Sequence, residues 1–321
     1  MRPVDDKNKF IASFKGFVQE LTKSVTYPDD GQWTIKGFVD IYKNVFTISN
    51  DTKIISKILE IHLFPTILKF AESIGYNVVL AEFQNYYPDL TFVKKDDESV
   101  KFAVDLKTTY RRDNGKVSFT LGSHGGYFKE RTKAKNIQFP YNEYKGHFCL
   151  GAIYSRTEED NVGDNLNSAG VESYKVLELG KSEQTHLDGN SREVLKLRDI
   201  PSVIKDLQFF FVEKWKIASD AQGSGNTANI GSVSDVDDII KENGVFAKLG
   251  EKYFDSYWLA YGTTYIIDGN TKKINSIYDF LESRGELNKK RHLVGNGAKK
   301  EKVKVEGPEG KNGSNNKKYT K

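Results

Sequence analysis

The stretch Phe102-Ala103-Val104-Asp105-Leu106-Lys107-Thr108-Thr109-Tyr110, preceded by Tyr87-Pro88-Asp89-Leu90, decides how this chain is read. Apolar residues alternate through Phe102, Val104 and Leu106, the period of a half-buried strand with those three on its core face. Side chains two apart on a strand share a face and lie about 6.5–7 Å apart along it. Asp105 and Lys107 therefore point together away from that core, and Asp89 needs only a neighbouring strand to join them. Two carboxylates and an ammonium are a working set for hydrolysing phosphodiesters with a hard metal ion. Mg²⁺ takes oxygen ligands, usually one or two carboxylates completed by water and phosphate oxygens, so Asp89 and Asp105 are the candidate metal ligands. Three roles stay open for Lys107: orienting the attacking water, stabilising the pentavalent phosphorus, or acting as base from a neutral form.

The pattern is loose, and the chain carries a second copy. Pro28-Asp29 followed by Asp51-Thr52-Lys53 fits the same template. Here, however, Ile54, Ile55, Ile58, Leu59 and Ile67 follow at helical spacing, and Ser49-Asn50-Asp51 has the composition of a helix N-cap. This copy reads as structural. The helix it opens runs from about Asp51 to Gly75, with Gly75 at C′ and Pro65 predicting a kink or two shorter helices.

Composition bounds the rest. A chain of 321 residues with 38% hydrophobic content, 20 Phe and 17 Tyr can bury a sizeable core. No run approaches the ~20 apolar residues of a membrane helix, and the first residues lack the apolar stretch of a secretory signal. The single cysteine, Cys149 between Phe148 and Leu150, excludes an intramolecular disulfide and points to a reducing cytoplasm. Five histidines at 62, 124, 147, 186 and 292 show no zinc-ligand spacing. The net charge of +4 is uneven: residues 289–321 hold eleven basic residues against three acids, +8, which leaves −4 on the remainder. Such a body binds nucleic acid only through basic residues focused in one cleft, and composition alone does not name DNA.

Along the chain, Phe10, Phe14, Phe17, Val18 and Leu21 form the apolar stripe of an amphipathic helix. Strands are expected at Tyr76–Leu80, Leu90–Phe92, Phe102–Lys107, Phe148–Tyr154 and Gln208–Ile217, while Trp33 to Val45 resists assignment. Helices alternate with strands, so the class is α/β, a mixed central β-sheet flanked by helices. One domain is expected over 1–288, with a polar, Gly/Asn-rich surface insertion at about 157–190 and a basic tail at 289–321 too poor in apolar residues to fold. Gly223-Ser224-Gly225-Asn226-Thr227-Ala228 fits the dinucleotide fingerprint, but Asn229-Ile230-Gly231-Ser232 is a poor helix start and no βαβ unit surrounds it, so that reading is rejected.

Taken in order, several blocks resemble the EcoRV family of type II restriction endonucleases, within the PD-(D/E)xK nuclease superfamily. They are Asp51-Thr52-Lys53, Asn85 with Tyr87-Pro88-Asp89, Asp105 to Tyr110, Phe119-Thr120-Leu121-Gly122, Lys135-Asn136-Ile137, and Gly223 to Thr227 with Asn229-Ile230-Gly231-Ser232. The resemblance implies a restriction-endonuclease-like fold and a Mg²⁺-dependent homodimer cutting both strands of a short palindrome to blunt ends. It makes the N-terminal region, about 1–50, a contributor to dimer contacts and gives Glu60 a place near the metal or its water, beside the plainer reading of a solvated helix-face acid. It turns Gly223, Ser224, Gly225, Asn226, Thr227 and Asn229 into a major-groove reading loop for GATATC, where every base pair is distinguishable. Gln84 and Asn85 fall in a second loop near the minor groove or backbone; Phe83 and Tyr86 depart from the family there. Thr108, Thr109, Tyr110 and Lys135 become candidate phosphate contacts, with Lys133 competing for the place of Lys135. A cognate DNA methyltransferase is the expected genetic companion. Two alternatives share the same core: a repair or junction-resolving nuclease, and a DNA-binding module with a dead site.

Overall fold

In chain order the elements are α1 (Asp6–Val25), β1 (Gly37–Val39), β2 (Asn44–Thr47), α2 (Thr52–Ser73), β3 (Tyr76–Leu80), β4 (Leu90–Lys94), β5 (Lys101–Tyr110), β6 (Thr120–Ser123), α3 (Gly126–Lys129), β7 (Tyr144–Arg156), β8 (Val176–Glu178), β9 (Ile204–Glu213), β10 (Ala218–Gln222), β11 (Asn229–Ser232), α4 (Val236–Ile240), α5 (Glu251–Ala260), β12 (Thr264–Ile267), β13 (Asn270–Lys273) and α6 (Ile277–Ser283). The computed structural model describes residues 6–41, 44–83, 85–157, 176–178, 202–223 and 228–292. The tail from 293 and nearly all of the 157–190 insertion lie outside the described residues.

Five strands in the order β3-β4-β5-β7-β9 make the central sheet. β5 and β7 run parallel and the other neighbours antiparallel, so the sheet is mixed, as the alternation of elements predicts. Its two faces sort by the two-residue period of the strands. Phe102, Val104, Phe148, Leu150, Phe209 and Phe211 face one apolar cluster, shared with α1 and α2. Ala103, Cys149, Ile153, Phe210 and Val212 face another, filled by Tyr127, Phe128, Tyr141, Trp258 and Phe280 from later segments. The sheet is thus covered on both sides, where the alternation in β5 predicts a half-buried strand.

α2 begins as expected: the Asp51 carboxylate accepts from the backbone N–H groups of Lys53 at 2.8 Å and Ile54 at 3.1 Å, an N-cap. Gly75 takes φ +81°, and its N–H donates to Glu72 O at 3.1 Å, closing the helix. Pro65 does not divide it. The buried positions Ile55, Leu59, Leu63, Ile67 and Ala71 continue four apart on both sides of an exposed Pro65, so packing against the sheet carries the helix through the missing hydrogen bond. β9 ends at Glu213, four residues before the sequence expectation, and the chain turns through a short 3₁₀ segment, Lys214–Ile217. The unassigned segment after Trp33 supplies β1 and β2, which pair with β8 as a separate three-stranded sheet.

The apolar stripe of α1 is buried in its own subunit. Phe10 stacks on Phe102 at 4.3 Å, Phe14 on Phe211 at 4.0 Å and Phe17 on Phe70 at 3.9 Å. Lys7 meets Glu213 at 2.6 Å and Lys15 meets Glu242 at 2.5 Å, tying the helix down along its flank. Because Phe10 touches rings from α1, β3, β4, β5, β7 and β9, the Phe10→Ala variant should lose about 3–5 kcal/mol of stability. Urea unfolding monitored by circular dichroism reads this directly; a loss under about 1 kcal/mol would mean that α1 is not part of the core.

Candidate active site

β4 and β5 pair with Leu90 opposite Val104 and Thr91 opposite Ala103. Carried one residue further, that register sets Asp89 across from Asp105. Asp89 Oδ2 accepts a hydrogen bond from the Leu106 backbone N–H at 2.7 Å, which fixes its carboxylate against β5. On β5 the Lys107 ammonium meets Asp105 Oδ2 at 2.5 Å. The three groups converge as the strand period requires, but their setting differs from the solvated face read from the sequence. Asp105 is only 6% exposed, because the second apolar cluster covers its side of the sheet.

That burial shapes the charges. Asp89 opens to solvent on one side and is crowded by protein on the other; this crowding and the charge of Asp105 push its carboxyl well above the usual carboxylate range. Burial works against charge on Asp105 too, yet Lys107, a hydrogen bond from Asp89 and the more distant Lys214 together hold it below its ordinary value. In effect the pair holds one proton, on Asp89. Burial likewise opposes the charge on Lys107, but Asp105 and then Asp89 outweigh it and keep the ammonium above its ordinary range.

Asp89 and Lys107 line a cleft of about 370 Å³ whose other wall is α2, with Asp105 buried behind them. Ser56 and Glu60, one helical turn apart on α2, line it opposite Asp89, Lys107 and Thr108. The Ser56 and Thr108 hydroxyls share a hydrogen bond across it. Glu60 is exposed and pairs with Lys57 at 2.9 Å, so it borders the site with its carboxylate committed to a solvent-facing lysine. Among the described residues no three His, Cys, Asp or Glu side chains gather as a metal site. A divalent ion here would be held by Asp89 and Asp105, with water and phosphate oxygens completing its shell. The donor chemistry fits: two crowded carboxyl groups, one keeping a proton that a cation can replace, are the oxygen donors a hard ion takes.

The remaining candidates are dispersed. Thr109 is buried, and its hydroxyl is spent on Ser118 O at 3.0 Å. Tyr110 is half-buried under the Arg156 guanidinium, 3.9 Å from the ring centroid. Lys135 is exposed, whereas Lys133 is paired with Glu130 at 3.0 Å. Asn85 is an exposed turn residue, and Gln84 lies outside the described residues. Ser224, Gly225, Asn226 and Thr227 do too, but the ends of their segment are well tied. Gly223 N–H donates to Asn229 O at 2.9 Å, and His124 N–H donates to Ala228 O at 2.8 Å. A Cβ at Gly223, just past β10, would fall 2.6 Å from Thr120 Cγ2 of β6, so glycine is what leaves the Thr120 side chain its space. Asn229 pairs with Ser123 of β6. Sequence reasoning missed Ser56 and Lys214; the four-residue step from Ser56 to Glu60 is a signal that could have found the first.

A mixed sheet that delivers two carboxylates and an ammonium to a groove is the architecture of a restriction-type endonuclease. Residues 29–178 and 173–285 match the family model described as Restriction endonuclease EcoRV. The chain is also 32% identical, over 240 residues, to the Type II restriction enzyme EcoRV of Escherichia coli, an overlap covering 74% of this chain and 86% of that one. This protein belongs to the EcoRV restriction endonuclease family, and is a site-specific nuclease acting on double-stranded DNA. No helix among the described residues is long and apolar enough to cross a membrane.

The proton on Asp89 has a measurable consequence. Without a divalent ion, folded Asp89 keeps its proton above the pH at which an unfolded aspartate, with a pKa of about 3.9, has lost it. The folded state then binds more protons than the unfolded one, so this group's contribution to stability falls as pH rises through that window. Asp89→Asn removes the charge. In chelator, its Tm advantage over wild type should grow from about pH 5 to about pH 8; a difference independent of pH would show that the two carboxylates are not in conflict.

Proposed function

We propose that this chain is a type II restriction endonuclease that hydrolyses both strands of a short palindrome with Mg²⁺, leaving blunt ends with 5′-phosphate and 3′-hydroxyl. The observation that carries the reading is the convergence of Asp89, Asp105 and Lys107, the first and last of which line the cleft beside α2. Asp89 and Asp105 are the ligands for the ion, which when bound acidifies water and offsets the charge that builds on the phosphoryl oxygens. Lys107, held as an ammonium by its carboxylate neighbours, suits orientation of the attacking water and stabilisation of the pentavalent phosphorus better than proton abstraction. Glu60 borders the cleft, where its carboxylate is paired with Lys57; contact with the ion's water would require it to leave that lysine, and otherwise it is a solvated helix-face acid.

Recognition falls to residues Gly223–Asn229. Asn226 offers both a donor and an acceptor to an adenine edge, Thr227 a methyl to thymine, and the glycines bare backbone. Likeness of this text to the family supports GATATC as the target. Thr108, Tyr110 and Lys135 remain candidates for phosphate contact; Thr109 supports the strand from inside. A palindrome calls for a two-fold symmetric dimer. The stripe of α1 is consumed within the subunit, so the dimer contact in the N-terminal region falls to β1, β2 and their turn, where Phe38, Val39, Ile41 and Phe46 are exposed. Such an enzyme works in the cytoplasm beside a methyltransferase that protects the same site.

Incubation with plasmid and Mg²⁺ should give discrete fragments, and sequencing their termini should give a blunt cut within GATATC. A smear would mean a general nuclease, and intact plasmid a binding module. Asp105→Ala should lose cleavage by several orders of magnitude while still retarding DNA on a gel. Asn226→Ala should lower discrimination against sites altered at its base by about 1–3 kcal/mol, read from the ratio of kcat/KM values. Unchanged discrimination would remove this loop from base reading.

A further inference from the structure

Lys214 is 1% exposed, yet its Nζ has no hydrogen-bond partner among the described residues. It opens the 3₁₀ turn after β9. The acid beside it in sequence is unavailable, because Glu213 meets Lys7 at 2.6 Å and Lys216 at 3.0 Å. Instead the ammonium lies in a cage of ring faces, 5.1 Å from the centroid of Tyr87 and 5.9 Å from that of Phe128. Tyr127 stacks on Tyr87 at 5.0 Å, and its hydroxyl would stand 2.9 Å from a Cβ at Gly122, so glycine there, at φ +84°, leaves the cage its space. Burial pulls Lys214 down to about 8, and the charge working hardest against that burial is the Asp105 carboxylate.

Folding does not account for this placement. An unpaired ammonium in the interior costs stability, and an apolar side chain of similar length would pack there more favourably. What the cage touches is the foundation of the site. Tyr87 stands two residues before Asp89; its hydroxyl bonds His147 Nδ1 at 3.0 Å, its N–H donates to Asn136 O at 3.1 Å and its carbonyl accepts from Gln138 N at 2.8 Å. Tyr127 and His147 stack on the ring at 5.0 and 5.8 Å, and the Lys214 ammonium lies 5.1 Å from its centroid.

We propose that Lys214 is a positioning residue of the catalytic site: from beneath the sheet its ammonium holds the Tyr87 ring, and with it the Pro88–Asp89 turn, and adds positive charge on the Asp105 side. It never meets DNA and acts only through the two carboxylates. The inference rests on the reading of Asp89 and Asp105 as catalytic. Groups that orient metal ligands from behind typically contribute 10–100-fold to activity or metal affinity.

The test replaces the ammonium by an apolar chain of similar length, Lys214→Met, in the full protein. The expected result is a split. Tm should equal or exceed that of wild type, KM for the duplex carrying the mapped site should stay within a few-fold, and kcat should fall about 10–100-fold. A lysine serving the fold alone would lower Tm and leave kcat unchanged. Wild-type kcat in Lys214→Met overturns the proposal, as does a variant that fails to fold or melts well below wild type. Asp105→Ala, assayed alongside, separates the two readings: if it still cuts, the carboxylate site itself is wrong. If it is dead while Lys214→Met cuts normally, only the role of Lys214 falls.

Discussion

The crowding of Asp89 against Asp105 is the constraint on which the rest of the site depends. The β4–β5 register puts the two carboxylates opposite each other, and the Leu106 N–H anchors one of them there. Two negative charges in a partly desiccated space repel strongly, since the screening of bulk water is lost. The protein answers in part, with Lys107 at 2.5 Å from Asp105 and a proton retained on Asp89. A second apolar cluster over Asp105 keeps the conflict sharp by excluding solvent. A carboxyl that keeps a proton because of its neighbour, beside an open groove, is poised to exchange that proton for a hard cation.

Much of the fold was legible where a local period maps onto a single element. β3 falls where its apolar run predicts, and Asp51 caps α2, which disposes of the first Pro-Asp and Asp-x-Lys copy as chemistry. The second cover of the sheet was not legible. Tyr127, Phe128 and Tyr141 come from the β5–β7 connection and Trp258 from α5, and a strand's own alternation cannot announce what will pack on its polar side. Of the two outcomes that Pro65 suggested, two shorter helices did not form: its local cost is real, but a row of buried residues four apart on both sides keeps one helix. β9 ended early because the text of Gln208–Ile217 runs on into a 3₁₀ turn whose first and last side chains, Lys214 and Ile217, remain buried.

Legibility of the site divides along the same line. Asp89, Asp105 and Lys107 sit on or beside strands, where spacing in sequence becomes distance in space. Ser56, Glu60 and Thr108 meet only because α2 crosses the mouth of the cleft, a tertiary event. Recognition is legible by another route. Nothing in the spacing of Gly223 to Asn229 dictates base reading; likeness to the family supplies that idea, and the structure adds the tethers of Gly223 to Asn229 and of His124 to Ala228 at the segment's two ends.

The charge on Lys107 bears on which catalytic part it can play. Asp105 and Asp89 hold its proton firmly, so in the metal-free protein it is a cation and a poor base. That hold is an interaction between charges and is therefore reciprocal: whatever positive charge the carboxylates come to share weakens their grip on the ammonium by the same coupling free energy. Until that grip is cancelled Lys107 stays an ammonium, a charge suited to orienting water and stabilising phosphorus, and the part of a base stays closed to it.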